Sequence, residues 1–385
     1  MTLDLICLLD KIPSLKSEKM IKRISIQNFK SLKNVTLDLQ RVNLLIGPNN
    51  SGKTNFLKGL EFLKYALFKK SNSTLEFSLM EYSYKHEEST ISFNVFFEEH
   101  NVNKHIEIQF GDIGDGITII ELTKKDENNP YNIINSAVNF EENKGLFNSL
   151  KGIRIYKPDA SKILNSYPLI PNDGSVNADV SDIIAFFDRI RDSNPEIFEA
   201  IQADLTTCTP EFSGIRFLTV LPNEVMKSQY GDKTFKMFGL YHTKHKEVYW
   251  ANELSEGTIY FLALLCIIHQ LNPPKLLLLE EPERGIHPRR IQEVMDFIFR
   301  LAEEKDIQVI MTSHNENVVN YFSEMPESIF VFDKDEEGAT QVRNLLNEII
   351  LPSHQKSEQD GIETIDFTSD LGKNWVYGLL GGVPE

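Results

Sequence analysis

The chain of 385 residues carries 40 basic and 56 acidic side chains, which gives a net charge of −16 at neutral pH. This length predicts two or three domains, or one domain with a large insertion. The acidity argues against a protein that coats nucleic acid, although it leaves room for a local basic patch. The three cysteines form no C-x-x-C pair, so we expect neither a disulfide framework nor a cysteine metal site, which suits a reducing cytoplasm. No apolar run approaches the ~20 residues that span a bilayer, so we expect no membrane partner.

The first 19 residues are expected to be a dispensable leader, with Met20 as the working start. Residues 1–9 are apolar but short. They contain Asp4, and no basic region precedes them, so they make a poor signal peptide. The first complete strand pattern begins only after this segment.

A phosphate-binding loop follows two predicted strands. Residues 21–29 and 35–39 alternate apolar and polar side chains, which is typical of strands. Residues 42–46 read as a short buried strand that runs into Gly47-Pro48-Asn49-Asn50-Ser51-Gly52-Lys53-Thr54, and this stretch fits the P-loop pattern G-x-x-x-x-G-K-[ST]. Residues 55–63 then place apolar side chains at helical spacing. The context predicts a nucleotide site rather than an ordinary glycine-rich turn.

The geometry of a P-loop assigns the contacts. Glycines let the backbone fold tightly around an anion, so that successive N–H groups and the positive end of the helix dipole face the phosphates. We expect Lys53 to reach the β- and γ-phosphates of ATP and the Thr54 hydroxyl to hold Mg²⁺. The residues expected to contact the nucleotide are Gly47, Asn49, Asn50, Ser51, Gly52, Lys53, Thr54 and Asn55.

The middle of the chain is predicted to be β-rich and then mixed. Residues 75–124 hold several strand patterns, clearest over 90–97 and 117–120, and predict an antiparallel sheet beside the nucleotide site. Further predicted elements are two helices over 179–192 and 195–205 and strands over 153–156, 212–221, 234–240 and 247–250.

The C-terminal part alternates helices with apolar strands, which predicts a largely parallel sheet. The helices are expected over 255–270 and 289–305, and the strands over 275–279, 307–311 and 328–332. Polar residues 352–366 predict a loose linker, whereas the Gly- and aromatic-containing residues 371–384 predict a docking tail. The fold class expected is α/β: a P-loop NTPase with a mainly parallel central sheet, an added antiparallel sheet and a helical insertion.

Two carboxylates end the apolar strand over 275–279. At the mouth of a buried strand such a pair is costly unless a cation or hydrogen bonds compensate it. Beside a P-loop, Glu280 is expected to orient Mg²⁺ and Glu281 to polarise the attacking water. Ser255 is a good N-cap, with a glycine nearby that lets a phosphate approach the helix. The His314 imidazole follows the next strand and could contact a γ-phosphate.

Four motifs occur in this order: the P-loop, the signature that begins at Ser255, the acidic strand end and His314. They resemble those of ABC-type ATPase heads, and in particular the OLD-like and RecF/SMC-like branch of stand-alone AAA-family ATPases. The resemblance rests on the opening residues 28–32, on the stretch E-E-P-E-R-G-I-H-P over 280–288 and on the closing residues 379–384. It covers about residues 21–125 and 250–385. Two residues depart from the family pattern: Glu280 stands where many relatives have Asp, and Glu256 stands where the transporter signature has Gly.

The resemblance implies a role for each motif. Ser255 and Gly257 would contact the γ-phosphate bound on a second copy of the chain. Glu281 would be the catalytic carboxylate and His314 the switch histidine, acting with Lys53. Residues 285–287 would form the loop that crosses the dimer interface. The glutamine of the lid loop has no assigned position, and residues 156–161 are where we expect that loop.

No nuclease site is expected. The OLD nucleases carry a C-terminal Toprim domain, and too few residues follow His314 to form one. His242 and His245 have no carboxylate or cysteine partners nearby in the sequence, so a metal pair is not favoured there.

We therefore expect a cytoplasmic, Mg²⁺-dependent ATPase that forms a head-to-head homodimer around two ATP molecules. The resemblance implies the ATPase component of a bacterial anti-phage defence system, acting with a separate effector such as a nuclease or Toprim-like protein. The alternative is a DNA-repair or chromosome-associated clamp, which would bind nucleic acid. A transporter subunit fits the β-rich insert poorly. The expected organisation is a leader over 1–19, an N-terminal ATPase lobe over 20–125, an insertion or lid region over 126–250, a C-terminal ATPase lobe over 251–350, and a linker with a docking tail over 351–385.

Overall fold

The fold is seen in a computed structural model. It describes residues 20–68, 82–84, 90–99, 102–112, 117–126, 129–133, 150–163, 167–169, 174–284 and 286–383. The leader expected over 1–19 lies outside these residues, as does Gly285.

The described strands, numbered in chain order, are β1 Ile21–Phe29, β2 Leu32–Asp38, β3 Val42–Ile46, β4 Thr90–Glu99, β5 Val102–Asp112, β6 Ile117–Asp126, β7 Asn129–Ile133, β8 Ile155–Tyr156, β9 Tyr167–Pro168, β10 Phe212–Val220, β11 Phe235–His242, β12 Glu247–Trp250, β13 Leu276–Glu280, β14 Gln308–Thr312, β15 Ile329–Lys334 and β16 Thr340–Asn344. The helices are α1 Lys53–Phe68, α2 Ala160–Ile163, α3 Ile183–Ser193, α4 Pro195–Cys208, α5 Glu224–Tyr230, α6 Glu256–Ile268, α7 Ile291–Glu304, α8 Glu316–Tyr321, α9 Leu351–Asp360 and α10 Leu371–Val376.

A six-stranded sheet in the order β16-β15-β3-β14-β13-β8 forms the centre of the fold. All neighbours pair in parallel except β16, which runs antiparallel at the edge. The P-loop strand β3 and the acidic strand β13 are therefore separated by one strand, β14. Because parallel strands end at the same edge, the loops after β3, β13 and β14 converge there.

The central sheet is the middle layer of the protein. Along β13, Leu276 and Leu278 pack with the core that holds helix α1, while Leu277 and Leu279 pack with the core that holds the helices on the other side. This alternation is the period of a strand buried on both faces. Helix α6 is buried on all sides from Gly257 to Ile268, which explains why its sequence is apolar throughout.

Two antiparallel sheets flank this centre. One has the order β2-β1-β4-β5-β6-β7, and its inward residues, among them Ile24, Phe93 and Ile108, are fully buried in the core with α1. The other has the order β10-β11-β12, with β9 paired to β11. The observed α/β architecture confirms the expected fold class of a mainly parallel central sheet with an added antiparallel sheet.

The prediction of a loose linker over residues 352–366 is wrong for most of this range, because the chain forms helix α9 from Leu351 to Asp360. This helix has no buried residue and therefore no apolar stripe for a sequence to reveal. It continues directly from a π-helical segment, Leu345–Ile350, and ends at Gly361, which takes the left-handed conformation (φ 67°).

The segment that follows α9 packs onto the central domain. Trp375 of α10 is fully buried, and its indole N–H donates to Gly382 O at 2.9 Å. Helix α10 packs on α8, where the Gly372 N–H donates to Asn320 Oδ1 at 2.7 Å. The backbone of Gly382 lies against Gly47, so the end of the chain supports the P-loop from behind.

No helix within the described ranges has the length and apolar character to cross a membrane.

Candidate nucleotide site

The P-loop runs from the end of β3 into helix α1, and it is built around two glycines. Gly47 has φ 142°, and a Cβ there would lie 2.2 Å from Phe332 O. Gly52 has φ 111°, and a Cβ there would lie 2.1 Å from Thr340 Oγ1. Any other residue at these positions would combine backbone strain with a collision. The hairpin of β15 and β16 therefore fixes the shape of the loop.

Lys53 curls back over the loop that it follows. Its Nζ donates to Gly47 O and Pro48 O, each at 2.8 Å. Burial lowers the pKa of Lys53 to about 8, and the charges of Glu281 and Glu280 oppose this shift. The ammonium is held at the lip of the loop, where phosphate oxygens could replace the carbonyl oxygens as acceptors.

The P-loop and the acidic strand meet through a side-chain hydrogen bond. Thr54 Oγ1 donates to Glu280 Oε1 at 3.2 Å, although the two residues are 226 positions apart in the sequence. A hydroxyl and a carboxylate are the hard oxygen ligands that Mg²⁺ takes, with nucleotide phosphates and water completing the octahedron. These two side chains therefore fit Mg²⁺. No cluster of three or more His, Cys, Asp or Glu side chains with metal-binding geometry occurs within the described ranges.

Glu281 has a strained backbone and is anchored by the neighbouring strand. Its φ is 50°, in the left-handed region that a glutamate rarely adopts. Its N–H donates to Thr312 O at 3.1 Å, with Thr312 Oγ1 also 3.3 Å away. The Glu281 carboxylate lies beside the loop that follows β14, and His314 Nε2 is 4.0 Å from Glu281 Oε1.

His314 is half-buried next to two charges. Burial and the charge of Lys53 lower the pKa of His314, while Glu281 opposes the shift. The lowered pKa favours the neutral ring, in which one nitrogen donates a hydrogen bond and the other accepts one.

Glu283 holds the loop that follows β14 and carries His314. This role was not predicted from the sequence. Ser313 Oγ donates to Glu283 Oε1 at 2.6 Å, and the His314 N–H lies 3.4 Å from the same oxygen. Burial raises the pKa of Glu283. Its Oε2 and the buried Tyr260 hydroxyl on α6 have no hydrogen-bond partner among the described residues. The serine that precedes His314 was the sequence signal for this contact.

The region expected to hold the lid loop places a lysine, Lys157, beside Glu280. Residues 156–161 contain no glutamine. Strand β8 ends there, beside β13, and Lys157 Nζ lies 3.5 Å from Glu280 Oε1. Lys157 was not among the expected site residues. Its position depends on the pairing of a two-residue edge strand, which no sequence pattern reveals.

Three further residues expected to contact the nucleotide differ in whether their side chains are already engaged. Asn49 and Asn50 are exposed at the tip, and Asn50 takes φ 63°. The Asn55 amide instead donates to Ser31 Oγ at 2.8 Å, which ties α1 to the turn between β1 and β2. The Asn55 amide is thus engaged with the protein, and its nucleotide contact stays a prediction.

Ser255 and Gly257, the signature residues, make no hydrogen bond to the P-loop within the described ranges of the chain. Ser255 caps α6, with its Oγ accepting the Thr258 N–H at 3.2 Å. The same Oγ lies 2.8 Å from Thr258 Oγ1 and accepts a hydrogen bond from Arg290 Nη1 at 3.4 Å. The structure therefore joins Lys53, Thr54, Glu280, Glu281 and His314 in one cluster, and it places Ser255 and Gly257 in a second cluster with Arg290.

His242 and His245 lie side by side where β11 turns into β12. Their rings stack in parallel with centroids 4.0 Å apart. His242 Nδ1 accepts the N–H groups of Lys244 and His245, both at 3.2 Å. His245 Nδ1 is 2.6 Å from the Tyr249 hydroxyl. This nitrogen of each ring is thus engaged in holding the turn between β11 and β12.

Short segments resemble curated ATP-binding proteins. The energy-coupling factor transporter ATP-binding protein EcfA of Methanoculleus marisnigri is 34% identical over 61 residues, which cover 16% of this chain and 21% of that protein. The uncharacterized ABC transporter ATP-binding protein YhcH of Bacillus subtilis is 33% identical over 84 residues, which cover 22% of this chain and 26% of that protein. The chain thus matches only about a quarter or less of the length of these relatives.

Two solved structures are similar over most of their length. The SMC head domain from Thermotoga maritima aligns with a TM-score of 0.47 and 13% identity, covering 84% of this chain and 98% of that one. The recombination mediator protein RecF-ATPrS in the RecFOR pathway aligns with a TM-score of 0.41 and 14% identity, covering 78% and 94%. At these TM-scores no role is transferred from either structure.

A protein family matches most of the chain. Residues 42–320 match the family described as "AAA domain, putative AbiEii toxin, Type IV TA system". The matched range begins at the P-loop strand, contains the acidic strand end and His314, and covers well over half of the sequence. The chain therefore belongs to this AAA domain family and carries an ATPase domain of the ABC-like P-loop type.

Proposed function

We propose that the chain binds and hydrolyses Mg²⁺-ATP and that two copies close head to head around two ATP molecules. The observation that carries the proposal is the cluster formed by the Thr54–Glu280 hydrogen bond and the 4.0 Å approach of His314 to Glu281. This cluster supplies a phosphate-binding loop, a metal-binding oxygen pair and a candidate base at one edge of the sheet.

Each side chain has a defined task in this proposal. The P-loop N–H groups and Lys53 bind the phosphates, and Thr54 with Glu280 holds the metal. Bound Mg²⁺ would neutralise charge that develops on the phosphate oxygens. Glu281 accepts a proton from the attacking water, and His314 orients the γ-phosphate.

The second cluster completes the site from another copy. Ser255 and Gly257 have no hydrogen bond to the P-loop of their own chain in the described part of the structure, and their N-cap geometry suits an anion. Closure around ATP and opening after hydrolysis make the protein a switch rather than a metabolic catalyst. In this proposal residues 20–125 and 251–350 form the two ATPase lobes, and residues 126–250 form an insertion or lid.

The test measures hydrolysis and pairing together. Wild-type protein should release phosphate from ATP with Mg²⁺, and Glu281→Gln should release it at least ~100-fold more slowly. The same variant should accumulate as a two-copy species by light scattering when ATP is added, and Lys53→Ala should stay a single copy. Wild-type turnover by Glu281→Gln would contradict the assignment of the catalytic carboxylate.

We further infer a cytoplasmic role as the ATPase of a bacterial anti-phage defence pair of the OLD-like branch, acting with a separate effector such as a nuclease. The toxin and type IV toxin–antitoxin wording of the family description supports this reading, as does the sequence resemblance. The tagged Glu281→Gln protein should be purified with ATP from its own cells, and all accompanying protein and nucleic acid identified. A stoichiometric nuclease-like protein supports the defence pair. Recovery with DNA alone, bound with steep salt dependence, would favour the DNA-clamp alternative instead.

A further inference from the structure

An arginine that the proposed function leaves unused stands beside the signature serine. Arg290 Nη1 donates to Ser255 Oγ at 3.4 Å. The same guanidinium faces Gly257, where a Cβ would lie 3.5 Å from Nη1. The two residues expected to touch a γ-phosphate on another copy are thus both next to one cation.

Other contacts hold this guanidinium in place. Arg290 Nε donates to Glu293 Oε2 at 3.0 Å, and the Arg290 guanidinium carbon lies 5.5 Å from the centroid of the Phe261 ring. The side chain is still 27% exposed. Arg290 is therefore oriented in advance without being buried, so little side-chain freedom would be lost when it meets a phosphate. Its neighbour Arg289 is exposed and has no such contacts among the described residues.

Open space lies in front of this group. A cavity of about 260 Å³ is lined by Ser255, Thr258 and Arg290 from the central domain, and by His242 and Tyr249 from the sheet of β10–β12. The carboxylates that also line it are Glu211, which is exposed, and Glu253, which accepts the Trp250 N–H at 2.7 Å. Arg290 therefore lies both beside Ser255 and on the wall of this cavity, where its N–H groups can donate to an anion that arrives from outside the chain.

We propose that Arg290 is a catalytic residue supplied in trans, which contacts the γ-phosphate of ATP held on the P-loop of a second copy. The inference rests on the head-to-head pairing of the proposed function. In the reaction, water oxygen bonds to the γ-phosphorus, the bond from that phosphorus to the β–γ bridging oxygen breaks, Glu281 takes the water proton, and ADP departs. Arg290 forms no bond. It stabilises the negative charge on the transferred group, for which a planar guanidinium is well suited.

The first experiment compares two adjacent arginines. Arg290→Ala should slow hydrolysis by roughly 10³-fold, within the range found for arginines supplied in trans, whereas Arg289→Ala should retain the wild-type rate. Binding of a fluorescent ATP analogue to single chains should be unchanged in both, because the P-loop is intact. Arg290→Lys keeps the charge but loses the fork, and it should recover part of the rate. This variant also separates a charge effect from a folding defect.

The second experiment decides whether Arg290 acts across the interface. Glu281→Gln and Arg290→Ala are each almost inactive alone, and both keep the P-loop that binds ATP. A mixed pair regenerates one intact site from the Glu281 of one chain and the Arg290 of the other. An equal mixture should therefore recover about a quarter of the wild-type activity. An arginine that acted within its own chain would give no recovery.

The outcomes separate this inference from the proposal beneath it. A wild-type rate for Arg290→Ala, or no recovery in the mixture, would overturn the role of Arg290 even though the wild type pairs with ATP. If the wild-type protein hydrolyses ATP as a single copy and Glu281→Gln never pairs, the head-to-head arrangement itself is wrong.

Discussion

His314 Nε2 lies 4.0 Å from Glu281 Oε1, at the ends of two neighbouring parallel strands. The contact depends on the strand register, which pairs Glu280 with Thr312 and so places the next residues side by side. Glu281 itself takes the left-handed backbone conformation, with φ 50°. The pair joins the proposed base to the proposed switch residue.

Loss of the imidazole should affect turnover more than binding. His314→Ala should lower kcat by about 100-fold, as expected for a group that acts on the reacting phosphate, with the ATP dissociation constant changed by less than about threefold. Single-turnover phosphate release and equilibrium nucleotide binding measure the two effects. His354→Ala, on the polar helix α9, is the matched control and should behave as wild type. An unchanged kcat in His314→Ala would remove the histidine from the mechanism.

The buried ammonium of Lys53 should make ATP affinity depend on pH. Burial lowers the pKa of Lys53 to about 8, while bound phosphates favour its charged form, so binding above that pH must take up a proton. The dissociation constant should rise by up to about tenfold per pH unit above 8. Calorimetry in buffers of different ionisation enthalpy measures the proton uptake. Affinity that stays constant from pH 7 to 9.5 would contradict a lowered pKa.

The lowered pKa of Lys53 should also make the free energy of unfolding depend on pH. The pKa of Lys53 in the folded chain is about 8, below the ordinary value of 10.5, so between these values the unfolded chain binds more protons. The contribution of Lys53 to the free energy of unfolding should therefore rise with pH across this window, by at most about 1.4 kcal/mol per unit. Urea unfolding of wild type and Lys53→Met, compared at pH 7.5 and 9.5, isolates this contribution from those of other groups.

The first glycine of the P-loop should be intolerant of a methyl group. A Cβ at Gly47 would lie 2.2 Å from Phe332 O, which is backbone and cannot turn aside. Gly47→Ala should cost about 3 kcal/mol or more of unfolding free energy and abolish nucleotide binding. Gly338→Ala is the control, because Gly338 has φ 82° but nothing within 4 Å, and it should cost only about 1 kcal/mol of backbone strain. Equal losses in urea titrations would mean that the collision is relieved.

The buried indole of Trp375 should be a major source of stability. Trp375 is fully buried, while Tyr377, two residues later, is 74% exposed. Trp375→Ala should lower the free energy of unfolding by about 3–5 kcal/mol, and Tyr377→Ala by less than about 0.5 kcal/mol. Trp375→Phe tests the hydrogen bond to Gly382, worth about 1 kcal/mol. A Trp375→Ala variant as stable as wild type would mean that the C-terminal segment does not support the domain.

The sequence by itself determined the elements that carry a local signal. The P-loop is a contiguous pattern whose glycines and lysine act through local geometry. The alternation of helices and fully apolar strands followed from hydrophobic period, because each strand is buried on both faces. The acidic end of the strand at Glu280 and the N-cap at Ser255 are local patterns as well, and the sequence predicted both.

The tertiary structure alone decided which distant residues meet. Lys157 reaches Glu280 only because a two-residue edge strand pairs with β13, and Arg290 reaches Ser255 only because the start of α7 packs beside the start of α6. Helix α9 escaped prediction because it buries nothing and so has no apolar stripe. Contacts of this kind depend on strand register and helix packing over many residues, and no local sequence pattern encodes them.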